Sequence, residues 1–155
     1  MARVINKRKI AELPDSEKAV PLAYWNGEPW VLLGPADDPA VIASRLDTLA
    51  GIAIDFPQFT DGRGYSIARL LRERYGFKGQ IRAVGDVMRD NLFYLSRCGF
   101  DSFVLSDQAR LEEALQSLSD FSEGYQASVE QPQPLFRRRI RYPRRPVQER
   151  LRGFA

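Results

Sequence analysis

The chain contains no histidine and a single cysteine, Cys98. Without histidine, the Ser-His-Asp and Cys-His catalytic arrangements are excluded, and so is the commonest protein ligand of transition metals. One cysteine cannot form a disulfide within the chain, a Cys₄ zinc site or a protein-held iron–sulfur cluster. Because Cys98 ends a helical pattern just before Gly99, we expect a small buried hydrophobic residue rather than a reactive thiol.

Long apolar stretches and the usual nucleotide-binding motifs are also missing. No apolar run approaches about 18 residues, so we expect neither a signal peptide nor a membrane span, and the free thiol then favours the cytoplasm. After Gly62-x-Gly64, a dinucleotide fingerprint would need its third glycine where Ile67 stands, and no Gly-Lys-Ser/Thr phosphate loop occurs. The sequence therefore predicts no nicotinamide, ATP or other cofactor, and no metal.

The charges that are present are unevenly distributed. With 44% hydrophobic residues in 155, the chain can form one domain with a core. Residues 137–152 hold eight arginines and one glutamate, which leaves 15 basic and 19 acidic residues elsewhere. We predict an N-terminal arm over residues 1–18, a single α/β domain over 19–130 and a mobile or partner-ordered Arg/Pro-rich tail over 131–155.

Three segments repeat the order of helix end, glycine and short apolar strand, with glycines 25 and 23 residues apart at Gly51, Gly76 and Gly99. Helix starts are predicted at Asp38, Ser66 and Asp107. The pattern predicts α/β architecture, with a short parallel sheet that is half-barrel-like or a small open sheet. Asn26-Gly27 predicts a hairpin, or a single returning strand, over residues 20–33 at the start of the sheet. Exposed strand edges would allow a homodimer.

The strand-to-helix corners are rich in Asp and Arg, and parallel strands bring such corners to one edge of the sheet. The first corner, residues 61–66, contains glycines and a helix start, which suits contact with an anion. An ordinary Asp-Gly turn with a solvated arginine is the structural alternative. Arg82 lies within an apolar strand, where it could face a ligand or pair with Asp55. The predicted ligand-binding residues are Arg63, Gly64, Tyr65, Ser66, Arg82 and Arg89.

Carboxylates at the same corners offer a second interpretation. Paired carboxylates suit acid/base catalysis or Mg²⁺, and the candidates are Asp55, Asp61, Asp86 and Asp90. Alternatively, Asp86 and Asp90 only favour the positive end of the next helix. Four aromatic residues, which could wall a pocket or fill the core, lie nearby: Phe56, Phe59, Phe93 and Tyr94.

These motifs resemble one bacterial family, domain of unknown function 934, over about residues 20 to 125. The resemblance rests on the segments Ile54–Pro57, Asp61–Arg74, Arg82–Val87 and Arg97–Asp101. It implies a setting in assimilatory sulfate and sulfite reduction, because family members are encoded beside sulfite reductase and phosphoadenylylsulfate reductase. Some members carry an oxidoreductase label, but the family provides no catalytic residue to transfer.

Two function classes follow. One is an accessory or anion-binding protein that acts with sulfite reductase or an acidic electron-transfer protein. The other is a small oxidoreductase or carboxylate-dependent enzyme with its site at the carboxyl ends of the parallel strands. The basic tail could dock on the acidic protein partner, neutralise nucleic acid or remain solvated, and no base-reading motif accompanies it.

Overall fold

The computed structural model describes residues 2–119 and 126–138, and their strands form one mixed, mostly parallel open sheet. The order across the sheet is β2-β1-β7-β6-β5-β4-β3, with β3 to β7 parallel and β1 antiparallel to both β7 and β2. This confirms the predicted α/β class and its open-sheet alternative. The strands are β1 (Arg3–Asn6), β2 (Lys9–Glu12), β3 (Val20–Pro21), β4 (Trp30–Leu33), β5 (Gly51–Phe56), β6 (Gln80–Gly85) and β7 (Ser102–Phe103).

Helical segments connect the parallel strands. The α-helices are α1 (Arg63–Arg69), α2 (Leu92–Cys98), α3 (Leu111–Ser117) and α4 (Leu135–Arg138). A π-helical segment, Leu70–Arg74, continues α1, and 3₁₀ segments cover Asp15–Glu17, Leu22–Tyr24, Pro39–Thr48, Arg89–Asn91 and Gln108–Arg110.

Two of the three predicted helix starts are confirmed. The Asp38 carboxylate accepts a hydrogen bond from the N–H of Ala40 at 2.9 Å, and that of Asp107 accepts one from Ala109 at 3.0 Å. The prediction for Ser66 is wrong, because α1 begins three residues earlier, at Arg63. Asp61 accepts the N–H of Arg63 at 3.2 Å, so it satisfies a free donor of the first turn.

The main core lies on one face of the sheet. Consecutive strands from β3 to β7 are neighbours, and right-handed crossovers of this kind place their connections on the same face. Ile52, Ile54 and Phe56 of β5 point to this face and belong to the core cluster. Gly76 and Gly99 adopt the left-handed conformation after their helices, with φ of 64° and 110°.

The opposite face is crossed by residues 13–19, which we call the crossing segment. It connects β2 to β3, which lie at opposite edges of the sheet. Glu17 of this segment contacts Arg82 in the central strand β6. Trp30, Ala53 and Ser102 are also buried on this face.

The N-terminal hairpin comes from a different part of the chain than predicted. Residues 3–12, assigned by the sequence to an N-terminal arm, form the antiparallel pair β1–β2. The hairpin predicted over residues 20–33 is wrong, because β3 and β4 pair in parallel. Gly27 does turn the chain, with φ of 112°, but Glu28 closes this turn locally by accepting the N–H of Asn26 at 2.8 Å. Of the predicted tail, residues 139–155 lie outside the described residues.

Candidate functional site

Three loops meet at the carboxyl ends of β5, β6 and β7, as the sequence predicted. The carboxylate of Asp86, after β6, accepts the N–H of Phe59, after β5, at 3.1 Å. Ser106, after β7, donates its hydroxyl to the carbonyl of Val87 at 3.1 Å. We call this region the carboxyl edge.

Arg63 and Asp61 form a local pair in the first loop. Arg63 donates through Nε to Asp61 Oδ1 at 3.0 Å and through Nη2 to Oδ2 at 2.7 Å. The hydrogen bonds from Arg63 hold the pKa of Asp61 below its usual value. The two-pronged contact that we expected for a ligand is therefore made to a neighbouring side chain.

Gly64 packs closely against β5, and Ser66 is exposed to solvent. A Cβ at Gly64 would lie 2.6 Å from Phe56 Cζ and 3.1 Å from a methyl carbon of Ile54, so this glycine permits close contact between α1 and β5. Ser66 is exposed within α1. The glycine is explained by packing.

Tyr65 connects the first two loops. Its ring lies 5.3 Å from that of Phe56 in an edge-on arrangement and 5.0 Å from that of Tyr94. Its hydroxyl oxygen accepts a hydrogen bond from Asn91 Nδ2 at 3.1 Å. Of the predicted aromatic wall, Phe56 is buried in the core, whereas Phe59 and Tyr94 are exposed. Phe93 is half-buried in α2.

Arg82 is buried on the sheet face that carries the crossing segment. Its guanidinium pairs with the Glu17 carboxylate, donates to Ser102 Oγ at 3.1 Å and lies 4.1 Å from the Trp30 ring centroid. Burial lowers the pKa of Arg82. The predicted partner, Asp55, is wrong: Glu17 lies 65 residues away in sequence, and only the return of the chain across the sheet brings it here.

Asp55, the last polar residue of β5, is half-buried near the carboxyl edge. Burial raises its pKa above the ordinary 3.8, against a hydrogen bond from the N–H of Phe56 that lowers it. Among residues 2–119 and 126–138, no ion-pair partner contacts Asp55 within 4.0 Å.

The predicted carboxylates have different surroundings in the structure. Asp61 binds Arg63, Asp86 binds the Phe59 N–H, and Asp90 is exposed at the start of a 3₁₀ turn. Within the described parts of the chain, no group of three His, Cys, Asp or Glu residues is arranged to hold a metal ion.

A cleft of about 240 Å³ opens between the second and third loops. Arg89 approaches Glu113 at 3.8 Å, and Arg110 approaches Asp107 at 3.7 Å. These contacts are long and exposed, so both guanidiniums keep donors for another partner. The cleft is lined by Val87, Met88, Arg89, Asp90, Leu105, Ser106, Asp107 and Arg110.

Of the two arginines that line this cleft, the sequence analysis named Arg89 as a candidate and did not name Arg110. Arg110 follows the helix-capping Asp107 by three residues, and this spacing was the available signal. Cys98 is buried as predicted, and burial raises the pKa of its thiol, which disfavours the reactive thiolate.

Comparison with known proteins identifies a family. The model of the bacterial protein family of unknown function DUF934 matches residues 30–136. No curated protein and no solved structure shows significant similarity to the chain. In the described part of the chain, the helices are too short or too polar to span a bilayer. The match covers more than half of the sequence, and the chain therefore belongs to the DUF934 family.

Proposed function

We propose that this protein is an accessory, anion-binding protein of assimilatory sulfite reduction, which acts with sulfite reductase or its acidic electron donor. Membership of the DUF934 family supports the proposal through the pathway setting that the sequence resemblance implies. The single structural observation that carries the anion-binding part is the cleft with Arg89 and Arg110 at the carboxyl edge.

The cleft has the size and donors for a small oxyanion. A volume of about 240 Å³ accommodates an ion such as sulfite together with several water molecules. Arg89 and Arg110 can each present a planar pair of N–H groups to an oxyanion. Because Asp90 and Asp107 also line the cleft, their charges offset those of the arginines. We therefore expect millimolar affinity and rapid release, as suits transfer to a partner.

Thermal unfolding in the presence of sulfite, sulfate or phosphate tests the ligand. We expect at least one oxyanion to raise the Tm at millimolar concentration, and Arg89→Ala or Arg110→Ala to abolish the increase. Arg63→Ala is the matched control, because its guanidinium is bound to Asp61. If no oxyanion raises the Tm, or if Arg63→Ala alone removes the effect, this cleft is not the anion site.

Gene deletion tests the pathway separately. We expect a deletion strain to grow poorly with sulfate or sulfite as the sulfur source and normally with cysteine. Complementation with wild-type protein, but not with the Arg89→Ala/Arg110→Ala double variant, would connect the cleft to growth. Normal growth of the deletion strain on sulfate would contradict the pathway assignment.

Asp55 favours the second candidate, a small oxidoreductase or carboxylate-dependent enzyme. A half-buried carboxyl with a raised pKa at the carboxyl ends of parallel strands is suited to general acid/base catalysis. An oxidoreductase of this kind needs a flavin or nicotinamide bound without a recognised motif. Native mass spectrometry of the freshly purified protein tests this, since a mass equal to that of the bare chain would count against a retained cofactor.

A further inference from the structure

A second cavity lies at the opposite end of the parallel strands from the carboxyl edge. It has a volume of about 400 Å³ and lies between the π-helical segment, the loop before β6 and residues 127–132. The proposed function does not use it. The lining residues that matter here are Arg69, Arg72, Phe77, Lys78, Ser128 and Val129.

Arg72 holds a fixed position in the wall of this cavity. Its guanidinium donates to the carbonyl oxygens of Gly99 at 3.0 Å, Phe77 at 2.8 Å and Gly79 at 2.7 Å. Carbonyl groups satisfy its hydrogen bonds without cancelling its charge. Its charge is balanced by the Asp101 carboxylate, which pairs with Nη2 at 3.5 Å.

The other charges in the wall leave the cavity positive. Arg69 pairs with Glu73 at 2.8 Å, which balances that charge. Lys78 is exposed and forms no ion pair or hydrogen bond with any residue in the described ranges. Arg72 is paired with Asp101, so among the described cations of the wall it is Lys78 that has no acidic partner, and its charge favours an anion.

Donors are available to bind that anion directly. The Lys78 ammonium is unpaired within the described chain, and Arg69 uses only Nη2 for Glu73. Ser128 Oγ accepts the N–H of Gln131 at 3.1 Å, so its hydroxyl proton can be donated elsewhere. These groups supply charge-assisted hydrogen bonds of the kind that oxyanions accept.

Part of the wall is apolar and held in place. Phe77 and Val129 line the cavity together with Pro132. Val129 donates its N–H to the carbonyl of Arg97 at 3.1 Å, and Arg97 Nη2 donates to the carbonyl of Gln126 at 2.6 Å. Two hydrogen bonds thus attach the segment beside the cavity to Arg97 of α2.

We propose that this cavity binds a small organic anion, in which one phosphate, sulfate or carboxylate group is attached to an apolar body. The oxyanion lies among Lys78, Arg69 and Ser128, and the apolar body packs against Phe77 and Val129. This site is separate from the cleft at the carboxyl edge, so either can exist without the other.

NMR titration of the ¹⁵N-labelled full chain with phenyl phosphate, inorganic phosphate and phenol tests the proposal. We expect phenyl phosphate to shift the amide signals of Lys78 and residues 127–129, and to bind more tightly than either fragment. Lys78→Glu should weaken phenyl phosphate binding about tenfold or more, because it reverses a charge beside the ligand. The shifts at Lys78 and residues 127–129 report this cavity alone, so any binding at the carboxyl edge is read separately from other amide signals.

Lys9→Glu is the matched control, since Lys9 is an exposed lysine of the edge strand β2. Equal weakening by Lys9→Glu and Lys78→Glu would show non-specific attraction and overturn the site. Absence of shifts at residues 78 and 127–129, or shifts confined to the carboxyl edge, would do the same. Equal affinity for inorganic and phenyl phosphate would overturn the assignment of an organic anion.

Discussion

Glu17 is the acidic partner of a buried charge. The Arg82 side chain is 2% exposed, whereas that of Glu17 is 29% exposed. If the pair is broken, water can therefore solvate the glutamate more easily than the arginine. Its contacts with Ser102 and Trp30 position the guanidinium but bring no negative charge. Removing one partner of a buried ion pair is costly because it leaves the other charge uncompensated.

We therefore expect Glu17→Ala to lower the free energy of unfolding by about 3 kcal/mol. Urea denaturation measures this change. Glu12→Ala is the control, because Glu12 is exposed on β2, and we expect an effect within about 0.5 kcal/mol. A similar small effect for Glu17→Ala would mean that the backbone carbonyl of Glu17 and the Trp30 ring suffice to hold Arg82.

The raised pKa of Asp55 predicts that the stability of the folded protein depends on pH. Because burial raises its pKa above 3.8 in the folded state, the folded state binds a proton more tightly than the unfolded state does. Its contribution to stability is thus complete below 3.8 and is lost as the pH rises through the higher folded pKa.

An asparagine at this position cannot ionise and avoids that loss. We expect Asp55→Asn to be more stable than the wild type at about pH 7, and the difference to shrink at about pH 3, where the aspartate is protonated in both states. Thermal unfolding at the two pH values measures it. A difference that does not depend on pH would show that the carboxylate is already well solvated or paired.

At the scale of elements, α1 depends on its close contact with β5. Gly64→Ala would place a methyl group 2.6 Å from the Phe56 ring, and we expect it to cost about 1–3 kcal/mol through overpacking. Gly62→Ala is the control, because the nearest atom to its Cβ would be Tyr65 Cδ2 at 3.9 Å. Urea denaturation of both variants separates packing from the general effect of replacing glycine. Equal effects would mean that the helix moves away at little cost.

The repeating glycines, apolar strands and capping aspartates predicted the parallel strands because these are local signals. Two features were not predictable from these signals. Ser66 and Asp61 both resemble helix caps, and only the structure shows that α1 begins at Arg63. The Asn26-Gly27 turn exists, but Val20 pairs with Val31 in parallel, so this turn does not join two antiparallel strands.

The candidate site likewise has features that the sequence predicted and features that it did not predict. The meeting of the three loops followed from the polarity of the parallel strands, which also places Arg89 at the carboxyl edge. The partners of Arg63, Arg72 and Arg82 were not predictable, since each guanidinium finds its acceptors where the folded loops place carbonyl and carboxylate oxygens. An arginine in a motif brings several N–H donors that need oxygen acceptors. The folded structure determines whether those acceptors come from the protein or from a ligand.

For the whole molecule, the two cavities lie at opposite ends of the parallel strands, and the basic tail adds a third charged region. The sequence of residues 137–155 has no pattern of apolar residues typical of a core. It carries eight arginines and one acidic residue, whereas the rest of the chain is mildly acidic. An acidic protein surface is therefore a chemically matched partner, and its capture would depend strongly on salt.

We expect deletion of residues 137–155 to leave the midpoint of urea denaturation unchanged and to reduce capture of purified sulfite reductase or of an acidic electron donor. Pull-downs of the full and truncated chains at rising salt measure this. A full-length variant with the tail arginines changed to glutamine should behave like the truncation, whereas lysine replacements should retain most of the capture, because long-range attraction depends on charge. If the truncated chain recovers its partner as well as the full chain does at every salt concentration, the tail has no part in docking.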